Sequence, residues 1–539
     1  MRPFVSLLTV QLLVFGLLVG PRPARAQSSS STAITPIHHV VVIFQENVSF
    51  DHYFGTYPVA TNPEGEPQFT ALPNTPTVNG LTNGLMNHNP NLMNTTNGSG
   101  GVNPFRLDRT QAATSDQNHN YGPEQSAFHG GLMDSFPASV GVAGPPPANT
   151  GVNFSPFTTT GLTMGYYDGN TVTALWNYAQ HFAMNDNSYG TTFGPSTPGA
   201  VNLIAGQTNG VIGNINGTSA VTTGGGGTTT DIGDADPIGD VCSTTTGELF
   251  GMTGQTIGDL LNSAGVSWGF FTQGFDLGVT NANGSTGCAR STTSSVTNSK
   301  KADYIPHHEP FQYYKSTQNL THARPSSVAS IGYSDAANHQ YDLHDFYDAI
   351  NAGNFPAVSF LKAPGYQDGH AGYSDPLDEQ AFIVNVINFL QESSGDWEHT
   401  AVVINWDDSD GWYDHQMAPI VNQSASPADT LTGPQACGSG SAALTGPGVS
   451  MPVQGRCGYG PRIPMLVISP WSKQNFVDHT LTDQTSIIRF VEDNWLNGER
   501  IGSGSFDTIA NSIANMFEFT KANKTKLVLD PNSGNPASK

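Results

Sequence analysis

Two apolar, β-branched runs in this chain are each followed by a pair of oxygen-bearing side chains. The runs span residues 39–44 and 400–405, and the pairs behind them are Glu46–Asn47 and Asp407–Asp408. Runs of this composition are typical of strands that are buried on both faces of a parallel sheet. The sequence therefore predicts two interior strands whose carboxyl ends carry polar residues.

The two pairs can converge on one cation, because ligands of open α/β sheets bind outside the carboxyl ends of the strands. Glu, Asn and Asp form a hard, all-oxygen ligand set, which suits Ca²⁺, Mg²⁺ or Mn²⁺ better than a thiolate-type zinc site. Acidic residues after a strand are also common as helix N-caps and turn residues. The polar, aromatic and glycine-rich segments that follow both pairs are unlike an ordinary cap. We therefore expect a metal-dependent hydrolase that binds one divalent ion. The possible ions are Ca²⁺, Mg²⁺, Mn²⁺ and Zn²⁺.

The first 26 residues have the pattern of a secretory signal. Arg2 supplies a positive start, residues 5–20 are apolar, and Ala24-Arg25-Ala26 offers a small-residue cleavage site. Prolines soon interrupt the apolar stretch, and no later segment approaches about 18 consecutive apolar residues. We expect a secreted or periplasmic protein that is cleaved after Ala26 and has no stable membrane insertion.

The charge of the chain limits the kinds of partner it can bind, and its cysteine content indicates the compartment in which it folds. The formal net charge is −23 with only 20 Lys and Arg, and no basic stripe is visible, so nucleic acid is not expected as a partner. Four cysteines fit an oxidising compartment. We favour the pairs Cys242–Cys288 and Cys437–Cys457, because each closes a Gly/Ser/Thr-rich stretch. No CxxC spacing occurs, so a cysteine-ligated metal is not expected.

Strand-like and helix-like segments alternate along the chain, which predicts an α/β fold with a mostly parallel sheet. Two further strands are predicted at 355–361 and 463–469. Helices are predicted at 172–182, 255–264, 378–393 and 484–495.

Loop-like composition marks two excursions from this pattern, near residues 59–100 and 210–300. The metal-ligand candidates stand near opposite ends of the chain. We therefore interpret residues 27–539 as a single catalytic domain with two insertions. Two independent domains that meet at the site are the alternative.

Ser196 is the candidate nucleophile. It lies between Gly194-Pro195 and Thr197-Pro198, on a tight turn that opens a predicted helix. Free backbone N–H groups at such a helix start favour an anionic substrate or an alkoxide. Metal coordination would activate the hydroxyl further. An ordinary proline-rich turn is the alternative interpretation.

Several of the sixteen histidines lie in polar contexts that suit phosphate chemistry. Phosphoryl transfer requires neutralisation of the non-bridging oxygens and a proton for the leaving group, and histidine supplies both near neutral or mildly acidic pH. Any one of them alone is more often structural. An acidic pH optimum is expected if protonated histidine donates hydrogen bonds to phosphate. The candidates are His119, His307, His308 and His370.

Residues 46–55, ENVSFDHYFG, resemble the ENxSFDxYFG signature of the bacterial phosphoesterase family. This family includes secreted phospholipases C and acid phosphatases and belongs to the alkaline phosphatase-like superfamily. The resemblance covers most of residues 36–500 and implies a three-layer α/β/α sandwich. Further matching blocks lie at 133–136, 164–167, 194–198, 406–408, 411–415 and 460–464.

The same resemblance implies roles for the candidate residues. Ser196 would be the nucleophile and form a phosphoenzyme intermediate. The four histidines would surround the phosphate, and one of them would protonate the leaving oxygen. The implied ligands of the metal are Glu46, Asn47, Ser196, Asp407 and Asp408.

Two features resemble the acid phosphatase branch more than the phospholipase C branch. Serine stands in the Gly-Pro-Ser-Thr-Pro turn where many phospholipases C have Thr-Asn-Pro, and the chain ends soon after Trp495. We therefore expect a hydrolase of small phosphomonoesters. The alternatives are a phospholipase C acting on phosphatidylcholine-type head groups and a non-catalytic metal-binding scaffold. A sulfatase is not expected, because Ser196-Thr197-Pro198 lacks the arginine of the C/S-x-P-x-R motif.

Overall fold

The computed structural model describes residues 32–144, 155–225, 227–431, 436–437 and 453–537. The predicted signal peptide, residues 1–26, lies outside the described residues. In the described part of the chain, no helix combines the length and the apolar character needed to cross a membrane.

Eight strands form the central sheet, and we number them in chain order. Their order across the sheet is β4-β3-β5-β1-β6-β7-β2-β8, and β7 alone runs antiparallel to its neighbours. The mostly parallel sheet is thereby confirmed. The strands are β1 (His39–Gln45), β2 (Ala183–Asn185), β3 (Trp268–Thr272), β4 (Gln340–Asp342), β5 (Val358–Lys362), β6 (Thr400–Trp406), β7 (Met465–Ile468) and β8 (Phe476–Asp478).

Helices cover both faces of this sheet, because successive side chains of a buried strand point to opposite sides. Val41 and Ile43 of β1 pack in one core with α1, α4 and α5. Val40 and Val42 pack in a second core with α2, α3 and α6. This arrangement confirms the three-layer α/β/α sandwich. The helices are α1 (Thr173–His181), α2 (Ser196–Ala205), α3 (Ile257–Ala264), α4 (Leu343–Asn351), α5 (Pro376–Glu392) and α6 (Thr485–Trp495).

The predicted strands and helices are all present. Some of them begin or end at other residues than predicted, because local capping and hydrogen bonding set the ends. Helix α5 begins two residues before the predicted start, because the Asp375 carboxylate accepts hydrogen bonds from the N–H groups of Leu377 and Asp378. Pro376 occupies the first helical position, where it costs no backbone hydrogen bond.

The two predicted insertions contain short elements. In the second insertion, threonine-rich segments pair as strands, since β-branched residues fit a sheet even among glycines. The assignment of one domain with two insertions stays a prediction. The range 210–300 also contains α3 and β3 of the central layers. The strands in or at the end of this range that lie outside the central sheet are Val211–Ile215, Val221–Gly225, Thr228–Asp231, Asp236–Pro237, Leu249–Met252, Ser291–Thr293 and Lys300–Ala302. The first insertion contains the short helices Asn83–Asn87 and Pro90–Met93, and Phe50–Phe54 and Tyr121–Phe128 lie outside both insertions.

Both predicted disulfides are confirmed. Cys242 pairs with Cys288 and Cys437 pairs with Cys457, with Cα–Cα distances of 5.2 and 5.8 Å. The first bond closes the loop-rich 210–300 region, and the second ties down the segment that precedes β7.

Asp342 ends β4 and joins the sheet to the 281–300 segment. Its carboxylate accepts hydrogen bonds from Arg290 at 2.8 Å and from the Asp276 N–H at 2.9 Å, and it also caps α4. Burial raises the carboxyl pKa, but hydrogen bonding with His344 and the charge of Arg290 outweigh burial and lower it to about 2.

We expect Asp342→Asn to lose roughly 2 kcal/mol of unfolding free energy near neutral pH, since the native state favours the charged carboxylate. The folded-state pKa lies below the ordinary value of 3.8, so this stabilisation is complete above that value and disappears as the pH falls toward about 2. Urea unfolding of both proteins between about pH 7 and about pH 3 measures the difference. Asp348→Asn, on the exposed face of α4, is the control. A difference that does not shrink with acidification would contradict the prediction.

Candidate active site

The carboxyl ends of β1 and β6 meet because the two strands are parallel neighbours, with Gln45 opposite Trp406. The Asn47 N–H donates to Asp407 Oδ1 at 2.8 Å, and the Asp408 N–H donates to the same oxygen at 2.7 Å. Asn47 has φ +64°, in the left-handed region that asparagine tolerates better than most residues. The predicted convergence of the two pairs is therefore present.

Ser196 is the first residue of α2 and is buried against the same pairs. Its hydroxyl donates to Glu46 Oε2 at 2.8 Å and lies 3.5 Å from Asp408 Oδ2. Gly199, one turn later, packs directly on the backbone of Asp407, where a Cβ would overlap the carbonyl oxygen. The glycine of the Ser-Thr-Pro-Gly sequence thus permits the helix to approach the β6 end closely.

The donor set has the properties that a divalent cation requires. Asn47 Oδ1 and Asp407 Oδ2 are buried without a hydrogen-bond partner among the residues that the structure describes. Burial and the charge of Asp407 raise the pKa of Glu46 well above its usual range, and the same two causes raise the pKa of Asp408. Buried carboxylates that face one another are unfavourable unless a positive charge compensates them. The residues therefore fit a metal ion with oxygen ligands.

Lys362 supplies part of that compensation, and it was missed in the sequence analysis. It ends β5, the other neighbour of β1, and its ammonium group donates to Glu46 Oε1. The signal was present, because Lys362 follows an interior strand as Glu46 and Asp407 do. Among the described residues, one lysine faces three acidic side chains here, and a bound cation would compensate the remaining charge.

The four candidate histidines lie around this centre at different distances. His308 Nδ1 is 3.2 Å from Glu46 Oε1, and His119 Nε2 is 3.4 Å from Asn47 Nδ2. The ring of His370 lies 5.9 Å from the ring of His119. His307 contacts the ring of His308 at 4.6 Å, but its own Nδ1 pairs with Asp236 at 3.2 Å.

The surroundings of these histidines shift their pKa values in opposite directions. Burial lowers the pKa of His119, but the carboxylates of Asp408, Asp410 and Asp116 raise it by more than burial lowers it. The resulting pKa is well above the ordinary value of 6.5. Burial lowers the pKa of His370 to about 4. Burial and the charge of Lys362 hold the pKa of His308 well below its usual range. One group with raised pKa beside two with lowered pKa is an arrangement that allows both proton donation and neutral hydrogen bonding.

Glu124 is a second residue that the sequence analysis missed. Its Oε2 accepts from the Gly194 N–H at 3.1 Å, and its Oε1 accepts from the Ser409 hydroxyl at 2.7 Å. The side chain therefore bridges the turn before Ser196 and the loop after Asp408. Nothing in its local sequence marks it, because the contact depends on where the short helix Tyr121–Phe128 lies.

Arg462 joins three of the matched sequence blocks. Its guanidinium donates to Asp51 at 3.0 Å and to Asp414 at 3.0 Å, and all three side chains are buried. His415 also binds Asp51, at 2.6 Å. Asp51, Asp414 and His415 are close enough together to be metal ligands, but the arginine already compensates their charge. Asp116, His119 and His370 are a similar group at the edge of the centre described here.

Comparison with known proteins gives consistent matches over most of the chain. A sequence model of the phosphoesterase family matches residues 37–496. A non-hemolytic phospholipase C of Pseudomonas aeruginosa is 26% identical over 85% of this chain and 53% of its own length. Phospholipase C B of Mycobacterium tuberculosis is 25% identical over 85% of this chain and 73% of its own length. The chain thus spans about half of the Pseudomonas relative.

Among solved structures, a protein in the alkaline phosphatase superfamily from Vibrio parahaemolyticus is similar, with a TM-score of 0.28 and 12% identity. The match covers 79% of this chain and 78% of that protein. Similarity at this level carries no argument about function.

A divalent ion should stabilise the protein through the pairs at the β1 and β6 ends. With free ion at 100-fold its Kd, we expect roughly 3 kcal/mol of added unfolding free energy, because the ion binds only the folded state. Asp407→Asn should abolish most of this gain. Thermal unfolding with and without Ca²⁺, Mg²⁺, Mn²⁺ or Zn²⁺ after chelation measures it.

Glu398→Gln is the matched control, since this exposed carboxylate lies near the opposite end of β6. An equal metal-dependent shift in wild type and Asp407→Asn would show that the ion binds elsewhere.

Proposed function

The chain belongs to the phosphoesterase family, and we propose that it hydrolyses phosphoric esters with Ser196 as nucleophile and one divalent metal ion. The observation that carries the proposal is the Ser196 hydroxyl, buried at a helix start and 2.8 Å from Glu46 within a cluster of carboxylates. Buried carboxyl groups with strongly raised pKa values, such as Glu46 and Asp408 around this hydroxyl, are typical of functional sites.

Glu46, Asn47, Ser196, Asp407 and Asp408 would hold the metal. When bound, a divalent ion neutralises developing negative charge on the phosphoryl oxygens and favours deprotonation of a ligating hydroxyl. The chain's own residues orient the reacting atoms. Glu46 and Asp408 hold the hydroxyl by hydrogen bonding, and Glu124 holds the preceding turn through the Gly194 N–H.

The proposed reaction has two steps. In the first, Ser196 Oγ passes its proton to Glu46 Oε2, which accepts its hydrogen bond, and bonds to phosphorus while the ester P–O bond breaks. A protonated histidine gives the leaving oxygen its proton. In the second, water gives one proton to that histidine and bonds to phosphorus, the bond from phosphorus to Ser196 Oγ breaks, and Oγ takes its proton back from Glu46 as phosphate leaves. His119, His307, His308 and His370 are the proposed phosphate-facing group, and an acidic pH optimum would follow from a protonated member.

We favour phosphomonoesters as substrates. A monoester carries up to two negative charges, and the site presents Lys362 and four histidines beside the proposed metal position. The second candidate function is that of a phospholipase C, because the two relatives described above are phospholipases C and match 85% of this chain.

Secretion or periplasmic export is part of the proposal, and the two disulfides support it.

Ser196→Ala should reduce kcat for p-nitrophenyl phosphate at least about 1,000-fold, because the covalent step loses its nucleophile. Chelation should abolish the wild-type activity, and added metal should restore it. Ser263→Ala, exposed on α3, is the matched control and should keep full activity. Full hydrolysis by Ser196→Ala would refute the phosphoenzyme mechanism.

The ratio of kcat/KM for p-nitrophenyl phosphate and p-nitrophenyl phosphorylcholine distinguishes the two substrate classes. We expect the monoester to be preferred at least about 10-fold, which corresponds to one charge-assisted hydrogen bond. Preference for the choline diester would transfer the protein to the phospholipase C class with the same catalytic centre. Inactivity on both esters with metal present would favour the non-catalytic scaffold.

A further inference from the structure

Lys301 is a second lysine at the candidate active site, and it comes from the hairpin of residues 291–302 rather than from the central sheet. It lies on the strand Lys300–Ala302, which pairs with Ser291–Thr293 in a hairpin. Its ammonium nitrogen lies 3.7 Å from the centre of the Tyr373 ring. Among the described residues it forms no ion pair, in contrast to Lys362, whose charge is matched by Glu46.

Tyr373 connects this lysine to residues already placed around the phosphate position. The tyrosine ring stacks on the ring of His370 with centroids 4.3 Å apart, and its hydroxyl donates to Asp368 Oδ2 at 3.1 Å. Asp368 Oδ2 in turn lies 3.8 Å from His308 Nδ1. The Tyr373 ring therefore contacts both Lys301 and His370, and its hydroxyl links it to Asp368 beside His308.

The hairpin holds Lys301 in this position through several contacts. Arg290, just before the hairpin, is bound to Asp342 at the end of β4. The Thr297 hydroxyl in the hairpin turn donates to the Tyr373 carbonyl at 3.2 Å. Gly365, just after β5, packs so closely on Lys301 that a Cβ there would overlap the lysine side chain. These contacts fix the backbone from which the ammonium group extends.

A half-buried ammonium without an ionic partner is in an environment that favours an anion. Burial lowers the Lys301 pKa, and the surrounding carboxylates of Asp368, Glu46, Asp116 and Asp234 oppose that effect without forming an ion pair. An incoming phosphate would provide the direct partner that the protein does not. A terminal phosphate, with two charges, gains more from a second lysine than a diester with one charge.

We propose that Lys301 binds a non-bridging oxygen of the substrate phosphate and makes the site selective for dianionic phosphomonoesters over diesters. This inference rests on the proposed function, because it concerns the substrate of the same site. It assigns to the hairpin of residues 291–302 a role in substrate recognition.

The test compares wild type, Lys301→Met, Lys301→Arg and Lys300→Met. Lys300 is the matched control, since it is adjacent in the same strand but exposed. Two substrates are used with metal-loaded enzyme at about pH 7.5, above the second phosphate pKa of roughly 6: p-nitrophenyl phosphate, there a dianion, and bis(p-nitrophenyl) phosphate, a monoanion. Calorimetric titration with inorganic phosphate gives a Kd that does not depend on turnover.

Lys301→Met should lower kcat/KM for the monoester about 10- to 100-fold and for the diester less than about 5-fold, as expected for one charged hydrogen bond. The Kd for phosphate should rise by a similar 10- to 100-fold factor. Lys301→Arg should retain most of the selectivity, and Lys300→Met should match wild type.

Equal losses on both esters, or no loss with unchanged phosphate binding, would overturn the assignment. If Lys301→Met does not fold, loss of selectivity in the charge-retaining Lys301→Arg would overturn it as well. Failure of the proposed function has a different signature, because the wild type would then hydrolyse neither ester, while phosphate titration would still report on Lys301.

Discussion

Parallel pairing of β1 with β6 is the constraint on which the candidate site depends. The pairing sets Gln45 opposite Trp406, and the residues that follow each strand then lie at one edge of the sheet. A shift of one residue would reverse which side chains face each core, so burial on both faces holds the register. The ends of the two strands are therefore positioned by apolar packing, although the groups they carry are acidic.

That geometry has an electrostatic cost, and the surrounding residues reflect it. Glu46, Asp407 and Asp408 are buried together, and Lys362 compensates only part of their charge. Orphaned oxygens on Asn47 and Asp407 indicate where a cation would bind. Glu124 and Arg462 use hydrogen bonds and ion pairs to hold the adjoining loops. In a buried polar network, a group that loses its partner is left unpaired at low dielectric, so the members of the network depend on one another.

Much of the fold and part of the candidate site could be predicted from the amino-acid sequence alone. The interior strands, the layered α/β fold and the disulfide pairs were inferred from residue patterns, because burial and chain closure leave local signatures. The nucleophile role proposed for Ser196 rests on its turn and on the family resemblance, and its hydroxyl lies beside Glu46 in the structure. Glu124 and Lys301 carry no such signature. Each reaches the site from a helix or hairpin whose position is set by distant contacts.

The interior strands and the oxygen-bearing side chains behind them can be predicted from the chain alone, because continuous β-branched apolar runs indicate burial on both faces of a sheet. The same side chains favour, for the proposed metal, an ion that accepts oxygen ligands. The pairing of charges is visible only in the folded structure. Lys362 binds Glu46, Lys301 lies over Tyr373 with no ionic partner in the described part of the chain, and His307 pairs with Asp236. Charge pairing depends on distances of a few ångströms between segments far apart in the chain, and sequence spacing does not encode such distances.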